Sequence, residues 1–285
     1  GVAPPEITTR DVWIGAIPLV GLQLIGLILC MIFPDIILFL PRLVWKVWFL
    51  IYMLFSTIVL FPFIFVFIVV LKNYSLTFNT IYKIWAWSIC LAIGIIPIIK
   101  GKDKLPKCES YILVANHSSQ LDIVVPYTRI NKYFAFLAKE ELKKAPLFKT
   151  NFRGMNVTVN RKDMVSGAGA LRECAEKLKE GVNLLIFPEG TRSKTAPVMR
   201  SFKAGLFKLA VENEVPLVPM VFLDNYKRLE GGDTWFGKCG PGQSRMIILD
   251  PINTKGMKKK DIPILMEKTY KVMEDCLKAH IKGFS

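Results

Sequence analysis

The sequence predicts an α/β fold, a mixed and largely parallel sheet flanked by helices, preceded by an N-terminal hydrophobic helical membrane anchor. Three observations predict it. The first hundred residues are dominated by long apolar stretches carrying few charges. From Ser110 onward the pattern changes to short apolar runs of strand length alternating with amphipathic segments of helical period. The 285 residues as a whole are 52% hydrophobic with a positive mean hydropathy, which is high for a soluble domain and assigns part of the chain to lipid.

The apolar stretches come first. They cover residues 13–40, interrupted by Pro18 and by Pro34-Asp35; residues 47–71, interrupted only by Pro62; and residues 81–99, which carry Lys83. A helix needs about 20 apolar residues to cross a bilayer core, so the second is the strongest candidate span. Only a short turn, residues 72–78, separates it from the third. Residues 42–100 therefore read as a membrane-anchoring helical hairpin that either spans the bilayer twice or dips into one leaflet. In the spanning case Arg42 and Lys46 before the hairpin, and Lys100, Lys102, Lys104 and Lys107 after it, share the face that the positive-inside rule makes cytoplasmic. Residues 1–41 are an additional hydrophobic segment. The chain opens on Gly1-Val2-Ala3-Pro4-Pro5 rather than Met and shows no signal-peptide pattern, as expected of a fragment or a fusion product.

Residues 101–285 read as the α/β domain. Strands are expected at 111–115, 133–138, 156–159, 183–187, 217–222 and 245–249, and helices at 121–129, 139–144, 165–180, 204–212 and 260–281. Residues 231–242 read as a loop. The net charge of +15 calls for an anionic partner, either nucleic acid, a phospholipid surface or an anionic substrate. The basic residues lack the interleaved aromatics of any recognisable nucleic-acid-binding module, which argues against the first. The six cysteines form neither a CxxC pair nor a Cys/His pair at metal-ligand spacing, so neither a zinc site nor a disulfide framework is indicated.

The chain has two histidines, the side chains best suited to proton transfer near neutral pH. His280 sits in a lysine-rich C-terminal helix and reads as solvated. His117 follows a predicted strand and should emerge at its C-terminal edge, where open α/β sheets bind ligands. Asp122 lies five residues on, with Ser118 or Ser119 available to cap the helix start and bring that carboxylate to the imidazole. An Asp accepting from one ring nitrogen leaves the other free to take a proton, which is the base half of a hydrolase triad without its nucleophile. The second element is the strand 184–187 ending in Pro188-Glu189-Gly190-Thr191-Arg192-Ser193, a polar turn with a glycine for close approach and an arginine suited to phosphate. The bland alternative for that turn is a Glu189–Arg192 ion pair.

Asn116-His117-Ser118-Ser119-Gln120-Leu121-Asp122 matches the HxxxxD motif, and residues 187–193 match the FPEGTRS motif, of the glycerolipid acyltransferases. The resemblance covers roughly residue 45 to the C-terminus. Lys139-Glu140-Glu141-Leu142 resembles the lysine-bearing segment after the second strand, and residues 154–161 resemble the second motif, where Asn160 replaces its usual acid and only Arg161 carries over. Phe202-Lys203-Ala204-Gly205 resembles the basic element after the third motif, and Val215-Pro216-Leu217-Val218-Pro219 resembles the fourth. The bacterial 1-acylglycerol-3-phosphate acyltransferases are the most similar subgroup.

The resemblance implies that His117 takes a proton from the free hydroxyl of lysophosphatidic acid as that oxygen attacks a thioester, with Asp122 holding the imidazole. It implies Arg161, Arg192, Lys139 and Lys203 as phosphate ligands, and Asn116, Glu189, Gly190 and Thr191 as further substrate-binding positions. Backbone N–H groups after His117 or in the Gly190 turn are candidates for stabilising the oxyanion. Acyl-CoA or acyl-carrier protein is the implied donor, no metal or other cofactor is required, and the phospholipid bilayer is the implied partner. The implied location is the bacterial cytoplasmic membrane, with the catalytic domain on the cytosolic face. Alternatives are the same chemistry on glycerol 3-phosphate or another lysophospholipid, and a membrane-surface binding protein without catalysis. Residues 1–41 differ from this family and weakly resemble the C-terminal end of the large membrane subunit of TRAP-type transporters; transport is the class that segment alone would suggest.

Overall fold

The computed structural model describes residues 8–108, 110–141, 149–150, 154–160, 164–231, 237–281 and 284. Helix α1, Thr9–Ile32, opens on a capping box between Thr8 and Asp11 and buries none of its residues. It ends at Phe33 because the residue before a proline is pushed out of helical geometry, and Pro34 then opens α2, Pro34–Phe65. A π turn, Val66–Val70, extends α2. These two helices are long and apolar enough to cross a membrane by length and composition.

This division differs from the expected one. The break falls at Phe33 rather than after Pro41, which α2 absorbs in its interior, so residues 42–46 continue the same helix. Arg42 there pairs with Asp35 at 2.5 Å, and Lys46 is buried with its ammonium donating to the carbonyl of Gly237 at 2.6 Å. Neither stands as a free positive charge flanking a hairpin.

The chain then turns at Lys72, and Asn73 caps α3, Tyr74–Thr77, by accepting the N–H of Leu76. A π turn, Phe78–Tyr82, leads into α4, Lys83–Ala92. The exposed face of α2 carries Leu54, Phe55, Ile58 and Val59, whereas Phe49, Ile64 and Ile68 turn inward to meet Phe78, Ile81, Tyr82, Ala86 and Ile89 in one core against the sheet. The indoles of Trp45 and Trp48 donate to the terminal carbonyls of α4, Ile93 and Ala92. The second arm of the expected hairpin is thus a core helix of the α/β domain.

A second correction follows directly. Residues 95–100, expected to close the hairpin, form strand β1, Ile95–Lys100, paired parallel with the strand Gly242–Ile248. Gly94, at φ +69, ends α4 in the left-handed conformation that a glycine adopts without strain. Pro97 is tolerated because β1 lies at the sheet edge.

The remaining elements are β2 (Ile112–Ala115), α5 (Leu121–Arg129), β3 (Phe134–Lys139), β4 (Val157–Val159), α6 (Met164–Lys179), β5 (Asn183–Ile186), α7 (Gly205–Glu212), β6 (Leu217–Phe222), α8 (Asn225–Arg228), β7 (Gly242–Ile248) and α9 (Ile262–His280). The seven strands form one mixed sheet in the order β1-β7-β6-β2-β5-β3-β4. The five from β6 to β4 run parallel, while β7 lies antiparallel to β6 and β1 follows β7. Lys139 closes β3 where a helix start was expected; residues 142–144 of that expected helix lie outside the described residues. The expected loop at 231–242 includes the β-bridge between Leu229 and Cys239 at its flank, and Gly242 already opens β7.

Strand β2 is buried on both faces, as a central parallel strand must be. Leu113 and Ala115 face the core shared with α2, α4 and α5, and Ile112 and Val114 face the core under α6, α7 and α9. Ile112, Leu113 and Val114 each contribute about 1.5–3 kcal/mol when fully buried. Helix α9 matches this with Leu265, Thr269, Met273 and Cys276, a stripe at helical spacing. The parallel strands bring their C-terminal ends to one edge, and the turns after β2 and β5 lie side by side there.

Candidate active site

At the end of β2 the side chain of Asn116 acts as a piece of backbone. Its amide donates to the carbonyl of Phe222 at 3.1 Å and accepts the N–H of Phe222 at 2.8 Å, extending the β2–β6 pairing by one residue. Both polar ends are thereby engaged, so Asn116 anchors the start of the motif turn.

His117 follows with its Nδ1 2.9 Å from Asp122 Oδ2. Its side chain is 12% exposed and that of Asp122 not at all. The same Oδ2 accepts the N–H groups of Ser118 at 2.6 Å and Ser119 at 2.7 Å, while Oδ1 accepts from the Asn225 amide at 2.8 Å. Four donors thus satisfy a carboxylate that has no contact with solvent. Ser119, not Ser118, supplies the helix-start contact expected of one of them, accepting the N–H of Leu121 at 3.1 Å. The Ser118 hydroxyl is buried without a hydrogen-bond partner among the described residues. Neither does His117 Nε2 have a protein partner there. The imidazole lies flat on the Phe187 ring, centroids 4.0 Å apart at 18°, and Phe187 stacks in turn near Phe136.

The turn after β5 locks onto this one. Glu189 accepts the backbone N–H of His117 at 2.7 Å and that of Arg200 at 2.8 Å. Ser193 donates its N–H to the His117 carbonyl at 2.8 Å. Burial pushes the Glu189 carboxyl up to about 7, against the lowering effect of the two N–H groups and with a smaller upward push from Asp122. The described ion pairs do not include one between Glu189 and Arg192; both oxygens of Glu189 are engaged by backbone.

Gly190 has φ +70, and a Cβ placed on it would meet Lys203 Cε at 2.9 Å and Nζ at 3.0 Å. The Lys203 stem therefore lies across the Gly190 backbone, held by its own N–H donating to Pro188 at 2.9 Å. Arg192 is half-buried beside Gly231, whose position leaves no room for a side chain between Arg192 and the Ser118 carbonyl. Thr191 is exposed in the same turn. Lys139, at the end of β3, is exposed and paired with Glu141 at 2.9 Å. Arg161 lies outside the described residues. The structure thus brings His117, Asp122, Glu189, Gly190, Arg192 and Lys203 to one edge of the sheet. It engages Asn116 in the scaffold and gives Lys139 a carboxylate partner.

The expected oxyanion donors are largely engaged as well. The N–H groups of His117, Ser118 and Ser119 serve Glu189 and Asp122, and that of Gly190 serves Phe187. The residues that sequence reasoning passed over are Asn225 and Ser244, whose hydroxyl donates to the Asn225 carbonyl oxygen. One signal was available: Asn225 stands just past the end of a strand running to the same edge as His117.

Comparison with known proteins agrees with this geometry. The family model described as Acyltransferase matches residues 97–223, which include both motif turns. The chain is 34% identical to the 1-acyl-sn-glycerol-3-phosphate acyltransferase LPAT1, chloroplastic, of Arabidopsis thaliana, over 61% of this chain and 48% of that one. It is 33% identical to the 1-acyl-sn-glycerol-3-phosphate acyltransferase of Saccharomyces cerevisiae, over 66% of this chain and 62% of that one. The chain spans about half the length of the first relative and about three fifths of the second. Its fold is similar to the crystal structure of the 1-acyl-sn-glycerophosphate (LPA) acyltransferase PlsC from Thermotoga maritima, with a TM-score of 0.63 at 26% identity, covering 85% of this chain and 99% of that one.

Proposed function

We propose that this chain, whose residues 97–223 match the family model described as Acyltransferase, is a 1-acylglycerol-3-phosphate O-acyltransferase. It moves a fatty acyl group from acyl-CoA or acyl-carrier protein to the free sn-2 hydroxyl of lysophosphatidic acid, giving phosphatidic acid, a step of phospholipid biosynthesis. The observation that carries this reading is the His117–Asp122 contact at 2.9 Å, with Nε2 left without a protein partner among the described residues. The names of the relatives support the substrate.

In this reaction Nε2 of His117 takes the proton of the sn-2 hydroxyl while its oxygen attacks the thioester carbonyl carbon. The tetrahedral adduct collapses by breaking the carbon–sulfur bond, and the imidazolium returns the proton to the departing sulfur. Asp122 holds the tautomer with Nδ1 protonated and stabilises the positive ring. The substrate supplies the nucleophile, so no covalent enzyme intermediate arises, and no step calls for a metal or redox group. Arg192, in the Gly190 turn, and Lys203, whose stem lies across it, bind the substrate phosphate by charge-assisted hydrogen bonds, with Lys139 and Arg161 as further candidates from the family resemblance.

The apolar faces of α1 and α2 hold the chain in the bilayer that also holds the acylated substrate. We place the α/β domain on the cytosolic side of the cytoplasmic membrane, where both donors are soluble. The test is acyl transfer from labelled acyl-CoA and, separately, acyl-carrier protein to lysophosphatidic acid in detergent, comparing the intact chain with His117→Ala. Product that falls by orders of magnitude in the variant supports the reading. Product only with glycerol 3-phosphate or another lysophospholipid replaces the acceptor, and full activity in the variant sinks the mechanism.

A further inference from the structure

Three of the four donors on the Asp122 carboxylate belong to the motif turn itself: Nδ1 of His117 and the N–H groups of Ser118 and Ser119, all on Oδ2. The fourth is different. Oδ1 accepts from the side-chain amide of Asn225, which reaches it from 103 residues away at the start of α8. Asn225 is fully buried, and so is Ser244 on β7, whose hydroxyl donates to Asn225 Oδ1. The Asp122 carboxylate can only accept, and that settles which way the amide faces: its NH2 group meets Asp122 and its oxygen meets the hydroxyl. The neighbouring residues clamp the same turn to the same strand. Arg245 donates through Nε and Nη2 to the two oxygens of Asp224, both at 2.7 Å, and through its backbone N–H at 3.1 Å.

The last torsion of an aspartate is soft, so a carboxylate held only through Oδ2 can rotate and swing that oxygen away from an imidazole. A donor on Oδ1 removes this freedom. The geometry points to Asn225 and Ser244 as a buried positioning pair for the catalytic dyad: Ser244 orients the Asn225 amide, and Asn225 fixes the plane of the Asp122 carboxylate so that Oδ2 stays in line with His117 Nδ1. Strand β7, the one that reverses the sheet next to β6, is what carries this support to the motif. The inference rests on the reading of His117 and Asp122 as base and orienting carboxylate. A purely structural role for Asn225 predicts lower stability with unchanged turnover per folded molecule; a positioning role predicts lost turnover with substrate binding retained.

The experiment uses the full chain in detergent, labelled with ¹⁵N-histidine, and compares wild type with Asn225→Ala, Ser244→Ala and Ser244→Thr. With two histidines in the chain, His280→Gln assigns the signals. An Nδ1 proton held between imidazole and carboxylate resonates far downfield and reports the dyad without any substrate. In Asn225→Ala, kcat for lysophosphatidic acid is expected to fall about 10- to 100-fold with both KM values within about 2-fold, the scale of an ångström-level misplacement of a catalytic group. The downfield proton should move or broaden away. Ser244→Ala should show the same pattern with a smaller loss, and Ser244→Thr, which keeps the hydroxyl, should restore both readouts. If Asn225→Ala does not fold, the two Ser244 variants carry the test. An unchanged kcat, a loss appearing only as raised KM, or an unmoved downfield proton in the folded variants overturns the positioning role. Absence of product from the wild type would instead count against the proposed reaction, and the proton signal would still decide whether Asn225 and Ser244 hold the dyad.

Discussion

The Glu189 carboxylate accepts the backbone N–H of His117 at 2.7 Å, joining the turn after β5 to the turn after β2 across 72 residues of sequence. Its second oxygen takes the Arg200 N–H, so one buried side chain fixes three segments around the base. Burial is the main reason its carboxyl is pushed up to about 7 from an ordinary value of 4.5. An acid with a raised folded pKa binds more protons folded than unfolded between those values, so the fold loses stability as pH rises from about 4.5 through about 7. The loss is on the order of 3 kcal/mol, at 1.36 kcal/mol per pH unit of separation. Glu189→Gln lacks this titration. The difference in thermal midpoint, wild type minus variant, is expected to shrink as pH rises across that window, and a difference independent of pH would refute the assignment.

Asp122→Asn tests the dyad from the other side. Three donors converge on the Oδ2 position, so the asparagine must place its oxygen there and point its NH2 group at the Asn225 amide, which then has to turn over to accept it while the Ser244 hydroxyl changes from donor to acceptor. Charge-assisted bonds to a buried carboxylate are replaced by neutral ones and the amide pair must reorganise, at a cost of about 1–3 kcal/mol in stability. Turnover should fall roughly 10³- to 10⁴-fold, as expected when the orienting carboxylate of a histidine base is neutralised. Chemical denaturation and steady-state kinetics on the same preparation read both effects.

Gly190→Ala should act mainly on substrate affinity. The backbone there has φ +70, which costs an alanine about 1 kcal/mol, and the new methyl would displace the Lys203 stem lying 2.9 Å from its position. The expected outcome is a raised KM for lysophosphatidic acid with a smaller change in kcat and a slightly lower melting point. A change confined to kcat would argue that Lys203 serves the reacting centre rather than the phosphate.

Removing the residues before Pro34 should leave the α/β domain intact, since α1 buries none of its side chains. Midpoint and activity in mixed micelles are expected to match the full chain, while retention on vesicles weakens. Helix α2 cannot be treated the same way. Phe49 and Ile64 are each 1% exposed in the core, and truncation of either to alanine should cost about 2–5 kcal/mol.

Much of the α/β domain was legible. Helix α5 and strand β6 occupy the expected residues because both have clear borders, the motif turn before Leu121 and the Pro216 and Asp224 positions around 217–222. Strand β1 was not legible: Ile95-Ile96-Pro97-Ile98-Ile99 continues an apolar run, and only Gly94 marked the change from helix to strand. The merging of two apolar stretches into α2 was hidden for the opposite reason, since Pro41, Arg42 and Lys46 read as a boundary until Asp35 and Gly237 supply partners for the charges.

By itself the sequence determined the His117–Asp122 pair, the turn at Glu189 and Gly190, and the apolar character of the first seventy residues. Each depends on local spacing or local composition, and such signals survive without knowledge of what packs on them. Only the tertiary structure decided that Asn116 belongs to the scaffold, that Glu189 grips the His117 backbone, and that Asn225 and Ser244 stand behind Asp122. Those contacts join segments tens to over a hundred residues apart. Which buried donor meets which acceptor is settled by strand order and register, because every polar group closed off from water must find its partner among the neighbours the sheet provides.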